Sequence, residues 1–341
     1  MAYTTRQLNA ETKAQSKNQA KALAKAHKKR VAQEKAELRK RIGPWYKRVA
    51  RHFSLYWQLW LMVAPAMLLV IIFNYVPMYG IQLAFRRYDP TKGLTGGEWV
   101  GFEYFQKFFN DALFTRIIAN TLRISLWTLV MGFFAPIILA LLINQIGGAK
   151  TKKFVQTITY MPHFISTVVM VSILNIFLAP DSGMIGRLFP HMNLMGSQAA
   201  FTPIYWISEI WQHCGWNCII YLAALASVDT SLYEAAKIDG AGRLQLIRYV
   251  DIPALLPTAG ILLIMNMGSV LGVGFEKIFL MQNTLNIQAS EVISTYTYRI
   301  GILSTQFSYS TAIGLFNSLV NFVFLITANQ IAKKVSNTSL F

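Results

Sequence analysis

Polar and aromatic residues follow one another at helical spacing inside one apolar stretch of the chain: Trp206, Glu209, His213, Trp216 and Asn217. Steps of three, four, three and one residues place these side chains on one face of a helix. Aromatic rings can stack on a sugar ring, and carboxylates and amides can hydrogen-bond to its hydroxyl groups. We therefore interpret this face as a candidate lining for a solute path. The alternative is packing against another subunit or an internal salt bridge, such as one between Glu209 and Arg123.

Two asparagines in other apolar stretches, Asn266 and Asn317, are further candidates for the same path. A polar group within an apolar span is costly, and it usually faces the protein interior or a wet cavity. Hydrogen bonding between helices is the alternative role for both side chains.

Residue patterns of enzyme chemistry do not accompany these groups. The sequence has no nucleophile beside a base, no paired-carboxylate site, no redox motif and no G-x-x-x-x-G-K-[ST] phosphate loop. His213, Cys214 and Cys218 share one segment, but three such groups on a single helix rarely converge on a tetrahedral metal. We predict no catalytic residue, no metal site and no cofactor bound by this chain.

Long apolar stretches are the elements that position these residues. The chain of 341 residues is 54% apolar and 14% charged, whereas soluble domains average about 45–50% and about 25%. A helix of about 20 residues crosses the ~30 Å hydrocarbon core of a bilayer. We predict six spans, at roughly 59–80, 117–146, 155–178, 204–228, 256–279 and 312–331.

The net charge of +17 is concentrated in the amino-terminal tail. Residues 1–57 have a net charge of +12, and the other 284 residues have +5. Basic residues near span ends favour the cytoplasmic side. We predict a basic cytoplasmic tail over 1–50, a membrane domain over 51–341 and cytoplasmic termini. The tail either holds the topology or lies on anionic lipid; this distribution does not favour nucleic acid.

The segment 229–257, between the fourth and fifth spans, predicts two short helices joined by a sharp turn. Ser231 and Glu234 have the spacing of a capping box, and Gly240 is placed to end the first helix. A second amphipathic stretch over 243–251 is predicted to stop at Pro253. Such an elbow suits a lever between a membrane domain and a soluble partner, and a plain connector is the alternative.

The residues of this segment resemble the EAA loop of binding-protein-dependent ABC importer permeases. That pattern is EAA, three residues, Gly, nine residues and I-x-L-P. The chain has Glu234-Ala235-Ala236, then Gly240, then 250–253 as Val-Asp-Ile-Pro, with two mild apolar replacements. Segments 99–105 and 120–122 are similar to the start of sugar permease domains. Segments 274–282 and 294–299 resemble the polysaccharide-importer branch.

The resemblance implies an all-α membrane protein of type I ABC importer architecture, with six transmembrane helices and a cytoplasmic coupling helix. It implies the bacterial cytoplasmic membrane as its location. The partners would be a second permease subunit in a heterodimer, two ATPase subunits that hold ATP and Mg, an extracytoplasmic solute-binding protein, membrane lipid and an oligosaccharide substrate. The residues expected to couple the chain to the ATPase are Tyr233, Glu234, Ala235, Ala236, Asp239, Gly240 and Pro253.

Two other functions stay open. The first is an ABC permease of the same architecture for another solute, such as a polyamine or an organophosphate. An ion-coupled secondary transporter would show internal repeats or matched broken spans, and neither is clear. The stretches outside the spans cannot house a nucleotide-binding domain, since domains have about 50–250 residues and the tail is nearly all polar. Energy must therefore come from a partner or from an ion gradient.

Overall fold

The computed structural model describes residues 30, 52–180, 182–188, 192–272 and 274–336. These residues are mostly helical and contain two isolated β-bridges but no strand. Apart from residue 30, the predicted tail over 1–50 lies outside them. The α-helices are α1 Trp57–Val70, a short Val76–Met78 turn, α2 Glu103–Phe109, α3 Phe114–Asn144, α4 Ala149–Tyr160, α5 Thr167–Phe177, α6 Gln198–Ala226, α7 Thr230–Ile238, α8 Arg243–Leu246, α9 Ile252–Met267, α10 Phe275–Met281, α11 Ile287–Ser290, α12 Ile293–Tyr298 and α13 Phe307–Ser336.

The chain divides into two compact units, Met1–Tyr79 and Gly80–Phe341. In the first unit, α1 passes through Pro65 and continues into a π turn at Ile71–Tyr75. The second unit contains all the predicted site residues. It packs around three apolar clusters, which include Ile117, Ile124 and Ile143 of α3.

Four helical stretches among the described residues are long and apolar enough to cross a membrane: Trp57–Phe85, Phe114–Asn144, Arg243–Met267 and Phe307–Ile331. Two bent helix pairs raise the number to six if each pair forms one span. The first pair, α4 with α5, bends by 97°. The second pair, α6 with α7, bends by 72°. The prediction of several apolar membrane helices is therefore confirmed, at four to six spans.

The bend between α4 and α5 follows from the local sequence. A short 3₁₀ turn, Met161–Phe164, contains Pro162 and interrupts the helix. Ser166 then caps α5, since its side chain accepts a hydrogen bond from the backbone N–H of Val169 at 3.4 Å. A Cβ atom at position 215 would overlap the carbonyl of Thr159, so the glycine there lets α6 approach this bend closely.

The fifth membrane helix differs from its prediction. Helical structure is continuous from Arg243 to Met267, through a π turn at Ile247–Asp251. Pro253 is the second residue of α9 and directly follows the π turn, and the helix continues past it. The prediction that the second loop helix stops at Pro253 was wrong, and the predicted span over 256–279 ends instead at Met267.

A buried ion cluster holds the segment between α10 and α13 against α3. The carboxylate of Glu291 is almost fully buried and accepts hydrogen bonds from Arg116 Nη2 at 3.1 Å and Arg299 Nε at 2.9 Å. Asn120 Nδ2 donates to the carbonyl oxygen of Gln288 at 2.8 Å. Two charge-assisted contacts compensate the burial of this carboxylate.

Candidate functional site

A cavity of about 280 Å³ lies between α3, α6 and the segment that follows α9. Helix α6 places Glu209, His213 and Asn217 along it at steps of four residues, and Asn266 reaches it from the end of α9. The remaining lining is contributed mainly by small and hydroxyl-bearing residues: Ser125, Thr128, Leu129, Gly132, Pro136, Tyr205, Ile210, Cys214, Ser269, Val270, Gly272 and Gly274. The structure thus brings four of the predicted path residues to one polar cavity.

A cation that the sequence analysis did not select stands beside this cavity. Lys277 of α10 is only 4% exposed, and its Nζ lies 2.8 Å from Glu209 Oε2 and 3.4 Å from Gln212 Oε1. Glu209 therefore forms an internal salt bridge with Lys277. Such a pair compensates two charges that would be costly to bury alone.

The predicted alternative partner of Glu209, Arg123, lies elsewhere. Arg123 Nη2 donates to Asn120 Oδ1 at 3.1 Å and to the carbonyl oxygen of Ala289 at 3.5 Å. The suggestion of an Arg123–Glu209 pair was wrong, because Arg123 bonds to groups on its own helix and on α11.

Two hydroxyl groups of α3 line the cavity without a hydrogen-bond partner among the described residues. Ser125 Oγ and Thr128 Oγ1 are both buried, although their residues belong to the cavity lining. A buried hydroxyl that makes no hydrogen bond costs about 1–3 kcal/mol. A side-chain rotation would be needed before either hydroxyl could bond to a solute or a water molecule in the cavity.

The two predicted tryptophans lie outside the cavity lining. The ring of Trp206 is stacked on that of Trp127, with centroids 6.3 Å apart. The ring of Trp216 is stacked on His163 at 4.5 Å with an interplanar angle of 4°. Each tryptophan lies three residues from its cavity-lining neighbour, Trp206 from Glu209 and Trp216 from His213, and the helix face that these residues share is broader than the cavity.

His163, in the bend of the third predicted span, extends the polar lining toward α6. Its Nδ1 atom lies 3.1 Å from Nδ1 of His213, so one ring must donate and the other accept. His213 Nε2 lies 3.4 Å from Glu209 Oε1. A polar chain therefore leads from the bend through His213 and Glu209 to Lys277.

Asn317 lies at a second cavity, of about 390 Å³, between α12 and α13. Its Oδ1 and the hydroxyl of Ser294 are buried there and have no hydrogen-bond partner within the described part of the chain. Phe275 and Tyr298 also line this cavity. The structure therefore separates Asn317 from the other predicted path residues.

The loop segment forms helix α7 with a cap different from the predicted one. Asp229 is the N-cap residue, and its side chain accepts a hydrogen bond from the backbone N–H of Ser231 at 2.9 Å. The prediction of a capping box starting at Ser231 was wrong, because the helix begins one residue before it, at Thr230. Gly240 follows the helix with a φ of 79°, a left-handed conformation that favours glycine.

The residues of the predicted coupling motif are presented to solvent. Glu234, Ala235, Asp239 and Gly240 are exposed, Ala236 is half-buried and Ile238 is 86% exposed. Tyr233 points the other way, since its hydroxyl donates to Asp251. Pro253 is exposed and belongs to the membrane helix α9, away from the tip of the loop.

The sequence analysis missed the two hydroxyls and Lys277 for different reasons. Ser125 and Thr128 lie three residues apart on α3, with Gly132 four residues further along, and this small polar stripe in a span was a usable signal. Lys277 lies in a segment assigned to the predicted fifth span. Only the break of that helix at Met267 gives α10 a separate path along α6.

Comparison with known proteins agrees with the loop resemblance. Residues 132–337 match the family described as "Binding-protein-dependent transport system inner membrane component". The chain is 42% identical to the protein LplB of Bacillus subtilis (strain 168), over 83% of this chain and 91% of that protein. It is 41% identical to the polygalacturonan/rhamnogalacturonan transport system permease protein YteP of the same organism, over 83% of this chain and 90% of that protein.

Two crystal structures share the fold. One is a bacterial ABC transporter involved in the import of the acidic polysaccharide alginate, with 36% identity, a TM-score of 0.78 and coverage of 85% of this chain and 99% of that chain. The other is the bacterial alginate ABC transporter in complex with an alginate pentasaccharide-bound periplasmic protein, at 36% identity and a TM-score of 0.79, over 86% and 100% of the two chains. The chain therefore belongs to the inner membrane components of binding-protein-dependent transport systems, the permease family of ABC importers.

Proposed function

We propose that this chain is one permease subunit of an importer that moves oligosaccharides, or fragments of polysaccharides, across the cytoplasmic membrane. The observation that carries the proposal is a cavity inside an apolar helical bundle that is lined in part by polar side chains. Its carboxylate and its amides are groups that bind the hydroxyls of a sugar. The names of the relatives support the same class of solute.

Six spans fit this role if α4 and α5 together cross the membrane once and α6 crosses it alone, with α7 bent away from it by 72°. The basic tail and the lysines at 150, 152 and 153 then lie on the cytoplasmic side, as do the segment 229–257 and both termini. Helix α7 is the cytoplasmic coupling helix in this arrangement. The family membership supports an inner-membrane location.

The ATPase would be a separate subunit that α7 contacts through Glu234, Ala235, Ala236, Asp239 and Gly240. The exposure of these residues on a capped helix supports a docking role. ATP and Mg would bind to two copies of that ATPase. A second permease would complete a heterodimer, and an extracytoplasmic solute-binding protein would deliver the sugar.

Chains that contain uronic acids are the first substrates to test. A polygalacturonan/rhamnogalacturonan permease and an alginate importer are both similar to this chain, and both names refer to acidic polysaccharides. Lys277 supplies a buried ammonium group beside the cavity, where Glu209 balances it. Lys277 is not part of the cavity lining, so its charge acts on a bound sugar by offsetting that of Glu209.

The test is uptake by proteoliposomes that contain the whole transporter with its binding protein. We expect ATP-dependent uptake of oligogalacturonate or alginate oligomers, and little uptake of a neutral malto-oligosaccharide of equal length. Uptake of the neutral chain alone would overturn the acidic assignment. Transport of a polyamine or an organophosphate in place of sugars would overturn the sugar assignment. Solute movement driven by an ion gradient without ATP would favour the secondary transporter.

A further inference from the structure

One buried carboxyl group joins three helical elements at the end of the bundle that carries α7. Asp251 is fully buried and is the last residue of the π turn Ile247–Asp251. Its Oδ1 accepts hydrogen bonds from the hydroxyl of Tyr233 and, at 3.4 Å, from Asn144 Nδ2. Its Oδ2 accepts one from Gln145 Nε2 at 3.1 Å. Helices α7, α3 and α9 therefore meet at this side chain.

The ion pairs found among the described residues do not include Asp251. Its contacts are instead with neutral donors, which fix direction as well as distance because each requires an aligned N–H or O–H group. A buried polar network of this kind specifies a single arrangement of the elements it joins, provided that every member is satisfied.

Helix α7 has few other contacts that could hold it to the bundle. Within it, only Tyr233 and Ala236 are half-buried, and the apolar Leu232 and Ile238 are 54% and 86% exposed. In the part of the chain that the structure describes, the side-chain hydrogen bonds from α7 to other helices all come from the hydroxyl of Tyr233, which contacts Asp251 and also Asn144 at the end of α3. The connection between α7 and the membrane helices thus depends on this one hydroxyl group.

The position of Asp251 suits the transmission of movement. It joins the π turn to α9, and π turns within helices are frequent at functional sites. Asn144 is the last residue of α3, and Gln145 follows it. A displacement of α7 that pulls on Asp251 would therefore act on the ends of two membrane helices, α3 and α9, at once.

We propose that Asp251 is a positioning residue that passes the movement of α7 to α3 and α9, with Tyr233 as the link. This assignment rests on the proposed function, since it requires a partner ATPase that moves α7. It also separates Tyr233 from the docking residues: Glu234 and its exposed neighbours contact the ATPase, and Tyr233 contacts the bundle.

The experiment compares Tyr233→Phe with the unchanged protein, each in the complete transporter in proteoliposomes. The measured quantity is the number of sugar molecules imported per ATP hydrolysed. We expect this ratio to fall about threefold or more, because one hydrogen bond to a carboxyl group is lost. The ATPase should still co-purify, and the thermal unfolding temperature should change little, since the ring and its packing remain.

Tyr296→Phe is the matched control. It also removes a tyrosine hydroxyl from an aspartate, Asp111, but near the opposite end of α3. We expect it to leave the import ratio unchanged. An unaltered ratio in Tyr233→Phe, or an equal fall in both variants, would overturn the proposal.

Asp251→Ala adds a second measurement, because it removes the oxygen that accepts the hydrogen bond from Tyr233. In the double variant with Tyr233→Phe, the ratio should equal that of Asp251→Ala alone, because both changes break the same link. If the two changes instead lower the ratio independently, so that their effects multiply in the double variant, the proposal is overturned. If Asp251→Ala does not fold, Tyr233→Phe and its control decide. Failure of the unchanged protein to retain an ATPase would instead reject the proposed function, and this is observed before any variant is tested.

Discussion

Lys277 Nζ and Glu209 Oε2 lie 2.8 Å apart and join α10 to α6 at the wall of the cavity. The lysine side chain is 5% exposed and the glutamate side chain 25%. Each charge compensates the other in a region that gives little access to water. The pair therefore both fixes α10 and sets the charge of the cavity.

Replacing Lys277 by methionine should lower the free energy of unfolding by about 3 kcal/mol, because Glu209 then remains largely buried without its cation. The double variant Lys277→Met/Glu209→Gln should recover most of this loss, since the unpaired charge is gone. Thermal unfolding of the purified transporter measures both. Equal stability of the single and double variants would contradict a compensating pair.

Filling the first cavity should stop transport without disturbing the fold. Gly132 lines this cavity, and a Cβ atom there would meet no atom within 4 Å. Gly132→Leu therefore places a side chain in the cavity, and it gains about 0.8 kcal/mol of helix propensity. We expect uptake to fall to background while the unfolding temperature is kept.

Gly314→Leu is the control for that experiment. Gly314 lines the second cavity beside Asn317 and is equally open to a Cβ atom. Uptake that survives Gly314→Leu but not Gly132→Leu would assign the path to the first cavity. The reverse result would assign it to Asn317 and the second cavity.

Glu234→Lys should release the ATPase from the membrane subunit. Glu234 is exposed and makes no described hydrogen bond or ion pair within its own chain, so its loss should not unfold the protein. We expect an unchanged unfolding temperature, loss of the ATPase on co-purification and loss of uptake. Exposed Lys237→Glu, which also changes the charge by two units on the same helix, shows whether charge alone matters. Normal uptake by Glu234→Lys would contradict a docking role.

Stability at acidic pH should depend on Asp111. Burial alone would raise the pKa of this carboxyl, but the hydrogen bond from the Tyr296 hydroxyl, with those from the Leu113 N–H and Tyr309, lowers it below the ordinary value of 3.8. A lowered pKa means that the stabilisation is present above pH 3.8 and is lost as the pH falls through the folded-state value.

Asp111→Asn tests this dependence. The unfolding temperature of the unchanged protein should decline more steeply between about pH 5 and pH 3 than that of the variant. Parallel declines would show that Asp111 does not contribute. Glu103→Gln, at an exposed site in the same outer region, is the control and should follow the unchanged protein.

The apolar stretches predicted the membrane helices but not their ends. Hydropathy locates residues that lipid can surround, whereas α3 and α6 begin before the predicted runs, at Phe114 and Gln198, and end before the runs do, at Asn144 and Ala226. Pro253 was expected to end a helix, but it lies at the start of α9, and the helix continues past it. That position depends on where the preceding π turn begins, which the residue pattern does not reveal.

The candidate site was predictable only along single helices. Spacing on α6 was enough to bring Glu209, His213 and Asn217 together. The partner of Glu209 required the path of α10, a tertiary fact that no local pattern contains. For the same reason the link from Tyr233 to Asp251, across eighteen residues, could not be anticipated from the motif that includes both.

The π turn at Ile247–Asp251 gives the loop a length requirement. A π turn holds about one residue more than an α turn, and one residue rotates a helix by about 100°. Deleting a single residue between Gly240 and Val250 would therefore rotate α7 by about a quarter-turn relative to α9. The number of residues between these positions, nine, thus sets the orientation of α7, and it matters more than the identity of most of those residues.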